Sequence, residues 1–336
     1  MQGLQPELYD PVDLCLADGR LNPAARGWSR RPLHRCNLAG PYGRQKRWDY
    51  WCVTSDTHLV ALTIADLDYL GVATAMFVDL ETGRIVERAI ALPWAHGFRQ
   101  PERVGGAPIV VDRFGLRLAF VPRPGGTQLE VESRRLSASL FVEEPAGHET
   151  LNVVIPWSAE RFQFTSKQNT LPARGEVLVD GRRYAFGPHN QAFACLDFGR
   201  GVWPYRTHWN WAAASGTVDR TLVGLQFGGR WTDGTEMTEN ALCIDGRLTT
   251  LAETLAFEYS ITDYRRPWRI HSLQSDRVDL VFRPRVEKRL RVELLLAGAE
   301  AHICFGHFEG TIRPDGAAPI QISRLLGWAE EFRGRW

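Results

Sequence analysis

The sequence predicts an all-β protein of two antiparallel β-barrel or sandwich domains packed side by side. Three observations predict it. Short apolar runs alternate with turn signals about every 8 to 12 residues. Asp-Gly recurs at 18–19, 180–181, 233–234, 245–246 and 315–316, several times between apolar alternations, where it marks two-residue hairpins. No sustained helical period and no βαβ rhythm appears.

The elements follow in chain order. His58 to Tyr69 is apolar on both faces, with Val60, Leu62 and Ile64 on one and Leu59, Ala61, Ala65 and Leu67 on the other, so it reads as a strand buried on both sides. Ile109-Val-Val111, a turn through Asp112 to Gly115, and Leu116 to Val121 read as a hairpin. Ser166 to Gly175 is polar and contains Pro172 and Gly175; it reads as a break between domains 1–172 and 173–336. Glu176-Val-Leu-Val179, Asp180-Gly181 and Arg182 to Phe186 form the clearest hairpin. At 336 residues the chain is long for one core and suits two domains.

Apolar residues are 44 % and charged residues 24 % of the chain, the balance of a folded globular protein. The formal net charge is +1, which leaves no overall field to draw it to nucleic acid or an anionic membrane. No apolar run approaches the roughly 18 residues of a membrane helix. No secretory signal is visible, so the expected address is cytoplasmic and the six scattered cysteines are expected to be reduced and mostly buried. The common phosphate-, dinucleotide-, zinc- and serine-nucleophile motifs are missing, and no cofactor is expected. His302, Cys304 and His307 stand close enough to suggest a metal site. Core packing for the thiol and surface hydrogen bonding for the imidazoles explain them more simply, and no metal is expected.

The densest cluster of unusual residues runs from Phe193 to Ala212. Up to Asp197 it reads as a strand, with Phe193, Cys195 and Asp197 on one face. Gly199, Gly201 and Pro204 then read as a sharp turn. A second strand begins at Tyr205, with Tyr205, Thr207, Trp209 and Trp211 facing one way and Arg206, His208 and Asn210 the other. Either one face lines a ligand cavity or the polar row lies in solvent. Asp197 is the candidate acid, because it ends an apolar strand; Arg200, three residues on, is placed to hold it ionised. The alternative is a structural Asp–Arg pair. Glu239 shares a face with Ala241 and Cys243, and pairs with Arg206 or serves as a second acid; Asn240 stands beside it. The bland reading is a turn cap. Twelve tryptophans, Trp203 among them, suit a cavity for an apolar ligand and equally a ligand-free core.

Asp197 to Trp211, Thr238-Glu-Asn-Ala-Leu242, Pro267-Trp-Arg-Ile270 and Gly327-Trp-Ala-Glu-Glu331, together with Asp49-Tyr-Trp51 and Leu171 to Gly175, resemble the bacterial family known as domain of unknown function 2804 over nearly the whole chain. More distantly the pattern is similar to the two-domain lipocalin-like group of carotenoid hydratases and tocopherol cyclases. The acid after an apolar strand and the Phe308-Glu-Gly310, Gly327-Trp328, Glu330 layout carry that likeness. It implies lipocalin-like domains and a buried acid that protonates an isoprenoid double bond. The spacing from Asp197 to Trp203 departs from the hydratase pattern.

Two readings from different classes remain open. One is a cofactor-independent lyase or isomerase acting on an isoprenoid- or polyketide-like molecule, in which Asp197 is the acid, Arg200, Tyr205 and Glu239 tune it, and Trp203, Trp209 and Trp211 hold the substrate with Arg206, His208, Asn210 and Asn240. The other is a non-catalytic carrier or sensor of the same kind of ligand. An interaction module with self-filled barrels is a third. The sequence assigns no oligomeric state.

Overall fold

The computed structural model describes residues 5–293 and 297–336. Strands take up 61 % of the chain and no α-helix occurs among the described residues, so the all-β expectation holds. None of its helical turns is long and apolar enough to cross a membrane. All six cysteines are free and buried.

The strands are β1 (Val12–Asp13), β2 (Trp28–Ser29), β3 (His34–Arg35), β4 (Gln45–Thr54), β5 (His58–Asp66), β6 (Leu70–Asp79), β7 (Ile85–Pro93), β8 (Ile109–Arg113), β9 (Leu116–Arg123), β10 (Gly126–Ser133), β11 (Leu136–Glu143), β12 (Leu151–Pro156), β13 (Phe162–Val179), β14 (Arg182–Phe186) and β15 (Phe193–Val202). After them come β16 (Arg206–Val218), β17 (Thr221–Gly229), β18 (Ala241–Ile244), β19 (Arg247–Thr250), β20 (Leu255–Glu258), β21 (Trp268–Ser272), β22 (Val278–Glu293), β23 (Gly298–Ile312) and β24 (Ile320–Arg335).

The chain forms two compact units, Leu8–Trp203 and Pro204–Trp336, the latter joined by the described residues before Leu8. Each holds one sheet curled into a barrel or half-barrel. In the N-terminal unit the main path is β7-β6-β5-β4-β15-β13-β11-β10-β9-β8, with β12 and β14 also on β13. The C-terminal sheet runs β19-β18-β17-β16-β24-β23-β22-β21-β20. Every pairing in both sheets is antiparallel, which lets short turns connect them.

The hairpin expected at 176–186 is present: Val179 pairs with Arg182, and Asp180 and Gly181 adopt φ of 47° and 83° in the turn. Both turn residues need φ > 0, which Asp tolerates and Gly adopts freely. The hairpin at 109–121 is present too, but its strand continues to Arg113 and the turn is Phe114-Gly115. β5 is buried on both faces as expected.

The break expected at 166–175 is instead the middle of β13, an 18-residue strand, so the division moves from 172/173 to 203/204. The register of β13 on β15 slips between Gln168 and Leu171, and Thr170 has φ of 58°. This bulge switches the inward parity. Phe162 and Phe164 face the N-terminal core before it, and Leu171, Ala173, Val177 and Val179 after it. Polar residues at the bulge are buried yet bonded: Cys195 donates to Asn169 (3.2 Å) and Gln168 to Ser166 (3.2 Å). Their polarity suggests a linker only when the partners are unseen.

Candidate functional site

Alternation along β4 puts Asp49 on the same face as Trp51 and Val53, both in the N-terminal core. On the neighbouring β15 the inward residues are Leu196, Phe198 and Arg200. Arg200 is fully buried, so each donor must find an acceptor. One Nη donates to Asp49 Oδ2 at 2.7 Å. The other donates to the carbonyls of Trp48 (2.7 Å) and Gly199 (2.8 Å), and Nε to Pro101 O (3.2 Å). The guanidinium also lies 3.6 Å from the Phe198 ring centroid. Gln100 donates to the same Asp49 oxygen at 2.6 Å and to Ile64 O at 3.1 Å. Burial pushes the Asp49 carboxyl upward, against the Arg200 charge and these hydrogen bonds.

Asp49 lines a cavity of about 110 Å³ whose wall also includes Trp51, Leu196, Phe120 and Ile109; Pro101, Val104 and Gly105 of the loop after β7 border it. The loop is fastened through the Arg200–Pro101 bond and the Cys36 N–Glu102 O bond of 2.8 Å.

Asp197 stands elsewhere. The strand does not end there but runs on to Val202, and residues three apart on a strand point to opposite faces. So Asp197 and Arg200 do not pair. Asp197 is bound by Lys167 Nζ at 2.9 Å and accepts from Thr165 Oγ1 at 3.0 Å; all three residues are buried. Gly199 and Gly201 are not turn glycines. A Cβ on Gly199 would lie 2.1 Å from the Trp48 ring, and one on Gly201 2.2 Å from Gln163. Trp203 is buried and donates to Gln163 Oε1 at 2.7 Å, with its ring against Trp48 and Trp157.

The other candidates belong to the C-terminal unit. Arg206, His208 and Asn210 share a face of β16 with Ala212 and Ala214 of the C-terminal core, so the polar row is on the inward face. His208 contacts Glu331 Oε1 at 2.9 Å. Asn210 accepts from Arg230 (2.9 Å) and donates to Tyr259 Oη (3.1 Å). On the opposite face Trp209 donates to Glu330 (2.6 Å) and stacks on Phe332 (3.8 Å), while Trp211 donates to Gln226 (3.0 Å). Tyr205 is exposed just before β16.

Glu239 is buried and does not pair with Arg206. It accepts from the Trp231 indole at 2.6 Å and lies against Gly228, where a Cβ would come within 2.0 Å of its carboxylate. Asn240 accepts from Gly228 N (2.7 Å) and donates to Glu253 O (2.9 Å), fixing the loop between β17 and β18. His302 reaches Glu287 at 2.7 Å and stacks on Tyr264; Cys304 donates to Tyr264 O at 3.4 Å; His307 has the opposite parity on β23. Among the described residues no group of three His, Cys, Asp or Glu converges as metal ligands do.

The sequence candidates thus divide: Asp197, Arg200 and Trp203 lie in one unit, Tyr205 to Trp211, Glu239 and Asn240 in the other. Asp49 and Gln100 were missed as site residues. The available signal was an acid in phase with the apolar Trp51 and Val53 on one face of β4.

Residues 5–336 match the family model described as domain of unknown function (DUF2804). The chain belongs to that family. No curated protein matches it. Solved structures similar to it include CghA, 12 % identical with a TM-score of 0.50 over 97 % of both chains. CghA with Sch210972 is 12 % identical, with a TM-score of 0.51 over 87 % of this chain and 88 % of that one. Kievitone hydratase from Nectria haematococca is 10 % identical, with a TM-score of 0.48 over 91 % of this chain and 94 % of that one. The likeness to CghA, at that identity, is one of fold.

Proposed function

We propose that this DUF2804 protein binds an apolar, isoprenoid- or polyketide-like small molecule through its N-terminal barrel, and that Asp49 exchanges a proton with it. One observation carries the reading: Asp49, buried and paired with Arg200, lines a cavity that it shares with Trp51, Ile109, Phe120 and Leu196. Such a pair is costly to bury and is oriented there by four further hydrogen bonds, to Trp48, Gly199, Pro101 and from Gln100. A carboxyl raised by burial moves towards the range where it both gives and takes a proton.

A cavity of about 110 Å³ takes only the reacting end of a ligand, since whole ligands occupy roughly 300 Å³ or more. A proton passed from Asp49 to an alkene carbon leaves a cation in a cavity lined by the aromatic side chains of Trp51 and Phe120. Loss of a proton from the adjacent carbon back to Asp49 completes an isomerisation; capture by water, with its proton returned to the Asp49 carboxylate, completes a hydration. That CghA was solved with Sch210972 supports ligand binding on this fold.

The test is mass spectrometry of organic extracts from purified wild-type protein and the Asp49→Asn and Asp197→Asn variants, each first shown folded by circular dichroism. The expected result is one apolar compound with wild type and Asp197→Asn, and its unreacted precursor with Asp49→Asn. The same compound on all three overturns catalysis by Asp49 and favours a carrier. A chemical change confined to Asp197→Asn returns the acid to that residue.

A further inference from the structure

The register of the C-terminal sheet aligns cations in adjoining rungs. Arg206 on β16 lies directly opposite Arg335 on β24, and His208 opposite Arg333. Side chains directly opposite in an antiparallel pair project from the same face, and like charges so placed repel. On the far side of β24, Arg335 faces Gly298 and Arg333 faces Glu300; Glu300 in turn faces Arg291 on β22. All these residues line one open pocket of about 560 Å³, which lies wholly within the C-terminal unit.

The inner rung is neutralised. Glu331 binds His208 (2.9 Å) and Arg333 (2.6 Å), and Glu300 binds Arg289 (3.2 Å). Arg291 reaches Glu293 at 3.5 Å. The outer rung is not: among the described residues neither Arg206 nor Arg335 has an ion-pair partner. Gly298 stands beside that rung, where a Cβ would come within 3.3 Å of the Arg335 guanidinium. Glycine there leaves the fork room to meet something else.

We propose that this pocket is a binding site for a small oxyanion, the phosphate or carboxylate group of an organic molecule, held in the forks of Arg206 and Arg335 with His208 and Arg333 behind them. The planar guanidinium matches both groups in two-point contact, and an anion between the two arginines removes their mutual repulsion. The site is distinct in residues and in ligand class from the cavity at Asp49.

The experiment is isothermal titration calorimetry of the full chain at low ionic strength with inorganic phosphate and, separately, malonate. Wild type is compared with Arg206→Gln, Arg335→Gln, the double variant, and Arg269→Gln as an exposed control. Saturable binding is expected for wild type and the control, weakened about tenfold or more by each single change and lost in the double variant. Tighter phosphate than malonate assigns a phosphate-bearing ligand, and the reverse a carboxylate. In anion-free buffer the thermal midpoint of Arg206→Gln should match or exceed wild type, because a repulsive pair is gone. Equal binding by the double variant, or no saturable binding by wild type, overturns the proposal.

Discussion

The inward faces of the two units handle charge in opposite ways. Against the N-terminal core, Asp49 and Arg200 form a buried pair sealed by Gln100 and backbone carbonyls. The C-terminal interior is apolar only part of the way along. Beyond Ala212 and Ala329 it becomes a field of alternating charges around Glu331, open to solvent at two pockets of about 560 and 410 Å³. A charge deep in apolar surroundings must be paired singly and tightly; charges at an open end share partners and tolerate an unpaired member. The first arrangement suits proton exchange with an apolar molecule, the second recognition of a charged one.

The contrast can be broken most forcefully at its buried pair. Arg200→Met leaves Asp49 inside without its counter-charge and should cost about 3–5 kcal/mol in urea unfolding. A loss under about 1 kcal/mol would mean that the pair is solvated and the N-terminal interior is not as dry as its lining implies.

Acid should sharpen the comparison next. Burial holds His34 at about 4, below its ordinary 6.5, although its bond to Ala25 O acts the other way. The unfolded chain therefore binds that proton first. Stability present above about pH 6.5 is lost as pH falls to about 4, by on the order of 3 kcal/mol, and His34→Gln should flatten that slope. In the C-terminal unit burial pushes Glu331 up, but hydrogen bonds from His208, Tyr264 and Arg333 prevail and hold it at about 2. Its contribution is complete above about pH 4.5 and is lost between there and about 2, a window that Glu331→Gln should remove. Denaturant midpoints measured across pH 2 to 8 read both.

A smaller effect is expected at Gly199. Gly199→Ala drives a methyl into the Trp48 ring and Gln163, whose Oε1 anchors Trp203. It should destabilise by about 1–3 kcal/mol and alter tryptophan fluorescence. An unchanged spectrum and midpoint would show that these rings yield without cost.

Strand-forming chemistry is local, so much of the fold was readable in advance. The Asp180-Gly181 hairpin, the doubly buried strand at 58–66 and the two-faced strand at 206–218 follow from turn conformation and side-chain alternation, which neighbouring residues settle among themselves. The bulge in β13 was not readable. Its polar side chains find partners far along the chain, as Asn169 does with Cys195, and without those partners a buried strand resembles a linker.

The site divides along the same line. By itself the sequence determined that Arg206, His208 and Asn210 share a face, that Trp209 and Trp211 share the other, and that an acid on an apolar strand needs a partner. Only tertiary structure decided which partner. Lys167 claims Asp197, Arg200 crosses to Asp49, and Trp231 takes Glu239. Alternation fixes the direction of a side chain one residue at a time, whereas the pairing of charges depends on strands brought together from over a hundred residues away, as Asp49 and Arg200 are.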